Sequence, residues 1–438
     1  MNNLKNVKGI VENLNQKADM TPLAENYVFY SDMGKTGVNQ NVIVVASTGG
    51  GKTTSVVEPK LLHTYDSSLI VPLSKTALVE PYAKLFESRG YEVKVIDFSD
   101  VNQSNIGYDP MMYVNNSDDV DNLAKQLMHY KEQTTADPFW ENNAHSILRS
   151  IIELVKLNAE SAGKKPRFID VFNLCKEFAY KRPEDCKDSK EMMESTLNDF
   201  FAEAEKLYPD NAACEAYKTS KEYPDKTAIS VYATFKAAID PMLTESVESL
   251  VSKKDLISFE ELGEKKTVLF VVTSAFNDSL KHFTNIMYSQ MFKALFDKAE
   301  SNAEKTLKVP VHVVCDDFAC GTRIEGFEKY ISVFRAAGIS VTILLQSESQ
   351  LSSLYSEHAA TTIINNADTY VFMGSMDDMT VSSVSRRMNL PYDRVMQLPL
   401  EQVMVMRRGA KPYVGRRYQT YDDPVYRSKI VKYKNHGK

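Results

Sequence analysis

The chain has 438 residues, enough for two or more domains, and a 43% hydrophobic content that allows a large buried core. A net charge of −6 excludes a surface coated in positive charge, and no apolar run approaches the ~18 residues needed to cross a bilayer. Five cysteines, odd in number and without zinc-knuckle spacing, point to reduced, mostly buried thiols.

The opening residues, Met1-Asn2-Asn3-Leu4-Lys5, lack the apolar stretch of a secretory signal, and a cytoplasmic protein is expected. Asn41 to Ser47 reads as a buried strand: short, β-branched and ended by glycine. A helix should follow from Lys52 to about Tyr65. Ser68 to Pro72 reads as a second strand, Thr76 to Arg89 as a helix closed by Gly90, and Tyr91 to Phe98 as a third strand. Strands spaced by helices imply parallel βαβ units, hence an α/β sheet covered on both faces.

From about Asp118 to Lys254 the apolar spacing turns helical. Asp137-Pro138-Phe139-Trp140 reads as a helix start, and Ile147, Ile151, Ile152 and Val155 recur on one face of the run that follows. This stretch is expected to be an inserted all-α domain. Strand signals return at Lys266 to Thr273, Val309 to Asp316, Ser340 to Leu345 and Thr369 to Met373, so the sheet should be sewn from both ends of the chain. The expected organisation is an N-terminal segment (1–24), a first part of a nucleotide-binding domain (25–117), the all-α domain (118–260), the second part (261–420) and a basic C-terminal tail (421–438). Basic residues gather from Arg407 to Lys438, with Arg416 and Arg417 among them. They read either as a solvated tail or as a contact for nucleic acid, acidic protein or anionic lipid.

The most specific signal is Ala46-Ser47-Thr48-Gly49-Gly50-Gly51-Lys52-Thr53, a P-loop set between a predicted strand and a predicted helix. A glycine turn can take positive φ and point several N–H groups inward, where they and the helix N-terminus hold phosphate oxygens. Lys52 adds a point charge on the β- and γ-phosphates and the Thr53 hydroxyl ligates Mg²⁺. With Thr54, these residues form the expected ATP site. Ala46 stands where the pattern has its first glycine. A Cβ there would cost about 1–2 kcal/mol if the backbone had positive φ.

An ATPase also needs carboxylates beside the loop. Val311-His312-Val313-Val314-Cys315-Asp316-Asp317 supplies them: Asp316 for the Mg²⁺ shell, Asp317 to orient the attacking water. Asp in place of Glu at the second position shortens the reach by a methylene, so binding is a safer expectation than fast hydrolysis. The next strand ends at Gln346, an amide suited to sensing the γ-phosphate. Arg335, between those strands, is a candidate arginine finger for a neighbouring subunit.

These segments together resemble the VirD4/TraG type IV coupling proteins of bacterial conjugation. The resemblance rests on Asn41 to Leu62, on Arg89 to Asp100 followed by Tyr108 to Val114, on Asp137 to Leu148, and most specifically on Cys315 to Tyr355 and Ala367 to Gly374. It covers roughly residues 25–420. It departs at Leu73-Ser74-Lys75-Thr76, where the family has an Asp-Pro-Lys-Gly turn, at the Asp-Asp pair, and in lacking the N-terminal transmembrane hairpin of many members. The resemblance implies a RecA-like P-loop domain with an all-α domain and a hexamer when active. It also implies recruitment of relaxase-bound single-stranded DNA to a type IV secretion channel. The leading expectation is a coupling ATPase or DNA translocase, peripheral to the inner face of the membrane and docked on a separate membrane subunit. The alternative is a non-motor adaptor that binds ATP as a switch. A small-molecule P-loop kinase has no use for the α insertion or the Gln346 strand.

Overall fold

The fold is that of a computed structural model, and it is described for residues 18–31, 36–74, 76–128, 138–181, 194–218, 223–273, 278–316, 318 and 323–435. Asp137 and Asp317, which the sequence reading names, and two of the five cysteines, Cys186 and Cys320, lie outside the described residues. The chain divides into two compact units. Met1–Asn105, Ser258–Phe276 and Met291–Lys438 form one; Ile106–Ile257 and Asn277–Gln290 form the other.

In the first unit, β1 (Met20–Ala24) and β2 (Tyr27–Tyr30) make a small antiparallel hairpin. The main sheet comprises β3 (Val42–Val45), β4 (Ser68–Leu73), β5 (Glu92–Asp97), β6 (Thr267–Val272), β7 (Val311–Cys315), β8 (Ile339–Leu345), β9 (Thr369–Phe372), β10 (Gln402–Arg407) and β11 (Tyr413–Arg416). Its nine strands lie in the order β11-β10-β9-β3-β8-β7-β4-β6-β5. From β9 to β5 every pairing is parallel. β10 and β11 add an antiparallel edge beside β9. Every residue of β3, β6 and β7 is buried, as strands in a parallel sheet covered on both faces require. The predicted strands all appear with ends displaced by a residue or two. The hairpin and the antiparallel edge are additions that the sequence reading did not contain.

Among the described residues the second unit is helical except for one short antiparallel strand pair, Tyr180–Lys181 with Glu194–Ser195, which the expectation of an all-α domain did not include. Its long helix, Phe139–Ser161, begins after Pro138, and its stripe Ile147, Ile151, Ile152 and Val155 is buried as the periodicity requires. Buried Asp109 caps the 3₁₀ turn Pro110–Tyr113 by accepting from Met111 N at 2.9 Å, and it also accepts from Arg167 Nε at 2.7 Å. Among the described residues no helix is long and apolar enough to cross a membrane. Cys175, Cys214 and Cys315 are buried.

Of the two readings of the C-terminal segment, a wholly solvated tail does not hold. Tyr426 and Ile430 belong to the apolar core beneath the sheet, and Val425 and Tyr433 pack against it. Asp423 is buried; its Oδ2 meets His63 Nε2 at 2.6 Å and accepts from the Tyr418 hydroxyl at 2.5 Å. Its Oδ1 accepts from Val425 N at 2.7 Å and Tyr426 N at 3.2 Å, which starts the helical turn that follows. Burial alone would raise the Asp423 pKa, but the His63 and Tyr418 contacts hold it below the usual carboxylate value. Basic side chains such as Arg427, Lys429 and Lys432 face solvent from the same segment, so its charge hides its buried face.

One buried cation in this unit is costly. Lys60 is 1% exposed and its Nζ donates to Ser31 Oγ at 2.7 Å and Thr21 Oγ1 at 3.2 Å, neither of them charged. Burial lowers its pKa to about 8, against the opposing pull of Asp19. Because the unfolded value is near 10.5, the cost is full below about pH 8 and is relieved as pH rises toward 10.5. Thr21 Oγ1 and Ser31 Oγ also bond each other at 2.7 Å, so they keep a partner without the lysine. Lys60→Met should therefore stabilise the protein by about 1–3 kcal/mol at pH 7, with the gain shrinking by pH 9.5. Denaturant titrations at the two pH values measure this; a gain that grows with pH would contradict it.

Candidate functional site

The site begins where β3 ends. Val45 pairs with Leu345 of β8 on one side and Phe372 of β9 on the other, so three parallel strands finish at one level. Past that level the chain stays tied to both neighbours: Ala46 N donates to Leu345 O at 3.1 Å and Ser47 N to Gly374 O at 3.0 Å. The loop that follows thus starts from a point fixed on two sides, outside the carboxyl ends of the strands, where α/β sheets hold their ligands.

The glycines then set the turn. Gly49 (φ +73°) and Gly51 (φ +77°) take left-handed backbone that other residues resist. Gly50 is required for space, since a Cβ there would lie 2.7 Å from Ser47 O. Ala46 is not among the residues with positive φ, so the departure from glycine carries no backbone strain. Lys52 is 7% exposed, and its Nζ donates to Ala46 O at 2.8 Å, spanning the loop from its last residue to its first.

The helix after the loop opens as a π turn, Thr53–Val57, and continues as the α-helix Glu58–Leu62. Pro59 explains the widening. It has no N–H, and its ring would crowd the carbonyl four residues back in a regular α-helix. π turns of this kind are frequent at functional sites.

Two strands bring side chains to the loop. Asp316 directly follows β7, and its Oδ2 accepts from Thr53 Oγ1 at 2.7 Å. Gln346 directly follows β8, and its Oε1 accepts from Thr48 Oγ1 at 3.1 Å. The structure therefore gathers Ala46 through Thr54, Asp316 and Gln346 in one place. Arg335 is not gathered: it sits exposed in the last turn of the helix Phe327–Ala337. The donor set fits the expected ligands. A hydroxyl and a carboxylate are the hard oxygen donors that Mg²⁺ takes, and left-handed glycines make the amide-lined turn that holds phosphate.

Three contacts to the loop come from residues that the sequence reading did not assign to it. Gly374 accepts from Ser47 N. Arg417 Nη1 donates to Gly50 O. The Thr420 hydroxyl donates to Thr54 O. No motif marks Arg417 or Thr420, which meet the loop only because β10 and β11 carry the chain back to it.

A family model for conjugative DNA transfer by the type IV secretory system matches residues 3–390. The chain belongs to that family. It is a VirD4/TraG-type coupling protein. No curated protein matches its sequence. Among solved structures, the plasmid coupling protein TrwB in complex with a non-hydrolysable ATP analogue is 14% identical, with a TM-score of 0.61 over 95% of this chain and 93% of that one. TrwB in complex with ADP and Mg²⁺ is 16% identical, with a TM-score of 0.58 over 86% and 85%. VirB4 of Thermoanaerobacter pseudethanolicus is 11% identical, with a TM-score of 0.53 over 92% and 96%. These likenesses show that the coupling protein has the P-loop NTPase fold.

Two of the three loop glycines, Gly49 and Gly50, should respond differently to alanine. Gly49→Ala meets no atom within 4 Å, so its cost is the left-handed backbone alone, about 1–2 kcal/mol. Gly50→Ala should cost more, because the Ser47 carbonyl must move. Thermal unfolding of both variants ranks them, and the opposite order would contradict this loop geometry.

Proposed function

We propose that this coupling protein binds ATP with Mg²⁺ and uses hydrolysis to recruit or pump relaxase-bound single-stranded DNA into a type IV secretion channel. The observation that carries the reading is the Thr53–Asp316 contact beside the glycine loop, in a chain of the conjugative transfer family. In this reading the amides of Gly49 to Lys52 hold phosphate oxygens and Lys52 moves from Ala46 O to the β- and γ-phosphates. Bound Mg²⁺ would neutralise phosphate charge. Thr53 would offer it a hydroxyl ligand and Asp316 would order its shell. Asp317 orients the attacking water and Gln346, already on Thr48, reports the γ-phosphate to its strand.

Arg335 is exposed on one protomer, which suits a finger offered to the site of the next in a hexamer. TrwB, the structural neighbour, has been captured with ADP and Mg²⁺ and with an ATP analogue, which supports the nucleotide assignment. Net acidity does not oppose DNA handling, since a pore needs only a local ring of basic and polar groups. We further propose that the protein works at the inner face of the membrane, docked on a separate membrane subunit and on the channel proteins.

ATPase rate against protein concentration, with and without single-stranded DNA, tests the reading. Stimulation by DNA with cooperative onset is expected, and Lys52→Ala and Asp317→Asn should each lower the rate at least 100-fold. Arg335→Ala should abolish activity in the homo-oligomer, and activity should return when it is mixed with Lys52→Ala, because each supplies what the other lacks. Tight ATP binding without turnover at any concentration would favour the switch adaptor, and absence of both would end the nucleotide reading.

A further inference from the structure

The C-terminal segment reaches the P-loop at two points, and the backbone chemistry there is directional. Arg417 is 7% exposed although it lies in a run of basic residues. Each of its three nitrogens donates to a main-chain carbonyl: Nε to Gln402 O at 3.0 Å, Nη2 to Met373 O at 2.5 Å and Nη1 to Gly50 O. The guanidinium thus ties together the start of β10, the end of β9 and the middle of the glycine loop.

Its grip on Gly50 O has a consequence for the next amide. The peptide is trans, so the carbonyl of Gly50 and the N–H of Gly51 point in opposite directions. Fixing the carbonyl on Arg417 directs the Gly51 N–H to the other side of the loop. Gly51 itself is left-handed at φ +77° and has no side chain to set its orientation. An unbraced glycine peptide of this kind is free to rotate.

The second contact fills a gap that Pro59 opens. In the π turn Glu58 N donates to Thr53 O, one residue earlier than in an α-helix. The carbonyl of Thr54 would then look to residue 59 for a donor, and Pro59 has none. The Thr420 hydroxyl supplies it. The segment from Arg417 to Thr420 therefore secures one carbonyl of the loop and one of the helix that follows it.

We propose that Arg417, with Thr420, is a positioning residue for nucleotide phosphate: it turns the Gly51 amide toward the phosphate side, so that the C-terminal segment is part of the nucleotide site. This rests on the nucleotide reading above. Arg417 touches no phosphate; it acts through Gly50, and Thr420 acts through Thr54.

Titration calorimetry with ADP–Mg²⁺ tests it, at a temperature where circular dichroism shows each variant folded. Wild type, Arg417→Met, Arg417→Lys and Thr420→Val are compared with Tyr418→Phe. The last removes a buried hydroxyl from Asp423 in the same segment without touching the loop. Arg417→Met should raise Kd about tenfold or more, Arg417→Lys and Thr420→Val by less, and Tyr418→Phe should lower Tm while leaving Kd within twofold. If Arg417→Met does not fold, the lysine and valine variants carry the comparison. Unchanged Kd in the Arg417 and Thr420 variants, or a rise in Tyr418→Phe that matches theirs, would overturn the proposal while the nucleotide reading stands. Failure of wild type to bind ADP–Mg²⁺ would overturn both.

Discussion

The hydrogen bond from Thr53 Oγ1 to Asp316 Oδ2 joins residues 263 positions apart and is the contact on which the site depends. It can form only because β3 and β7 both flank β8 in the same direction, so that the loop after one and the acid after the other reach the same end of the sheet. Register does the rest. Leu345 lies opposite Val45 and Ile343 opposite Cys315, which leaves Ala46, Asp316 and Gln346 as the first residues past their strands. A slip by one residue would invert which side chains face the loop.

The sheet supplies this precision through burial. Its central parallel strands are buried along nearly all their length, and the loop's main-chain ties to Leu345 and Gly374 continue the ladder beyond the last strand residues. At the loop the left-handed backbone falls on glycines: Gly49, Gly51 and Gly374 carry positive φ, while Ala46 does not. The helix after the loop is less regular, and Pro59 accounts for that. Its irregularity is closed by a segment more than 350 residues away, through the Thr420 hydroxyl on Thr54 O. The same segment is anchored deeper by the buried pair of His63 and Asp423, so the C-terminal residues are structural as well as charged.

The parallel part of the fold was legible because each of its strands is a short β-branched run that ends at a glycine or a polar residue. The P-loop was legible for the same reason, with Gly49 to Thr53 placed directly after such a run. The placing of Asp316 beside the loop followed from the expectation of an acid-ended strand next to it, whereas the direct contact of Gln346 with Thr48 was not anticipated. What escaped notice lacks those signals. Pro22 interrupts the hairpin strand β1, and the polar and glycine positions of β11 (Tyr413–Arg416) mask an antiparallel edge. The structural role of Arg417 escaped notice because its partners are main-chain carbonyls, two of them far away in sequence. Arg335 was named for a role between subunits, and a single chain leaves it at the surface.

The most direct measurement of the central claim is the affinity for ATP with Mg²⁺ and with the metal chelated, in wild type and in Asp316→Asn. If Thr53 and Asp316 form the metal side of a phosphate site, chelation should weaken binding by about tenfold or more in wild type and far less in Asp316→Asn. Equal sensitivity to Mg²⁺ in the two proteins would contradict the account, because the carboxylate would then have no part in holding the metal.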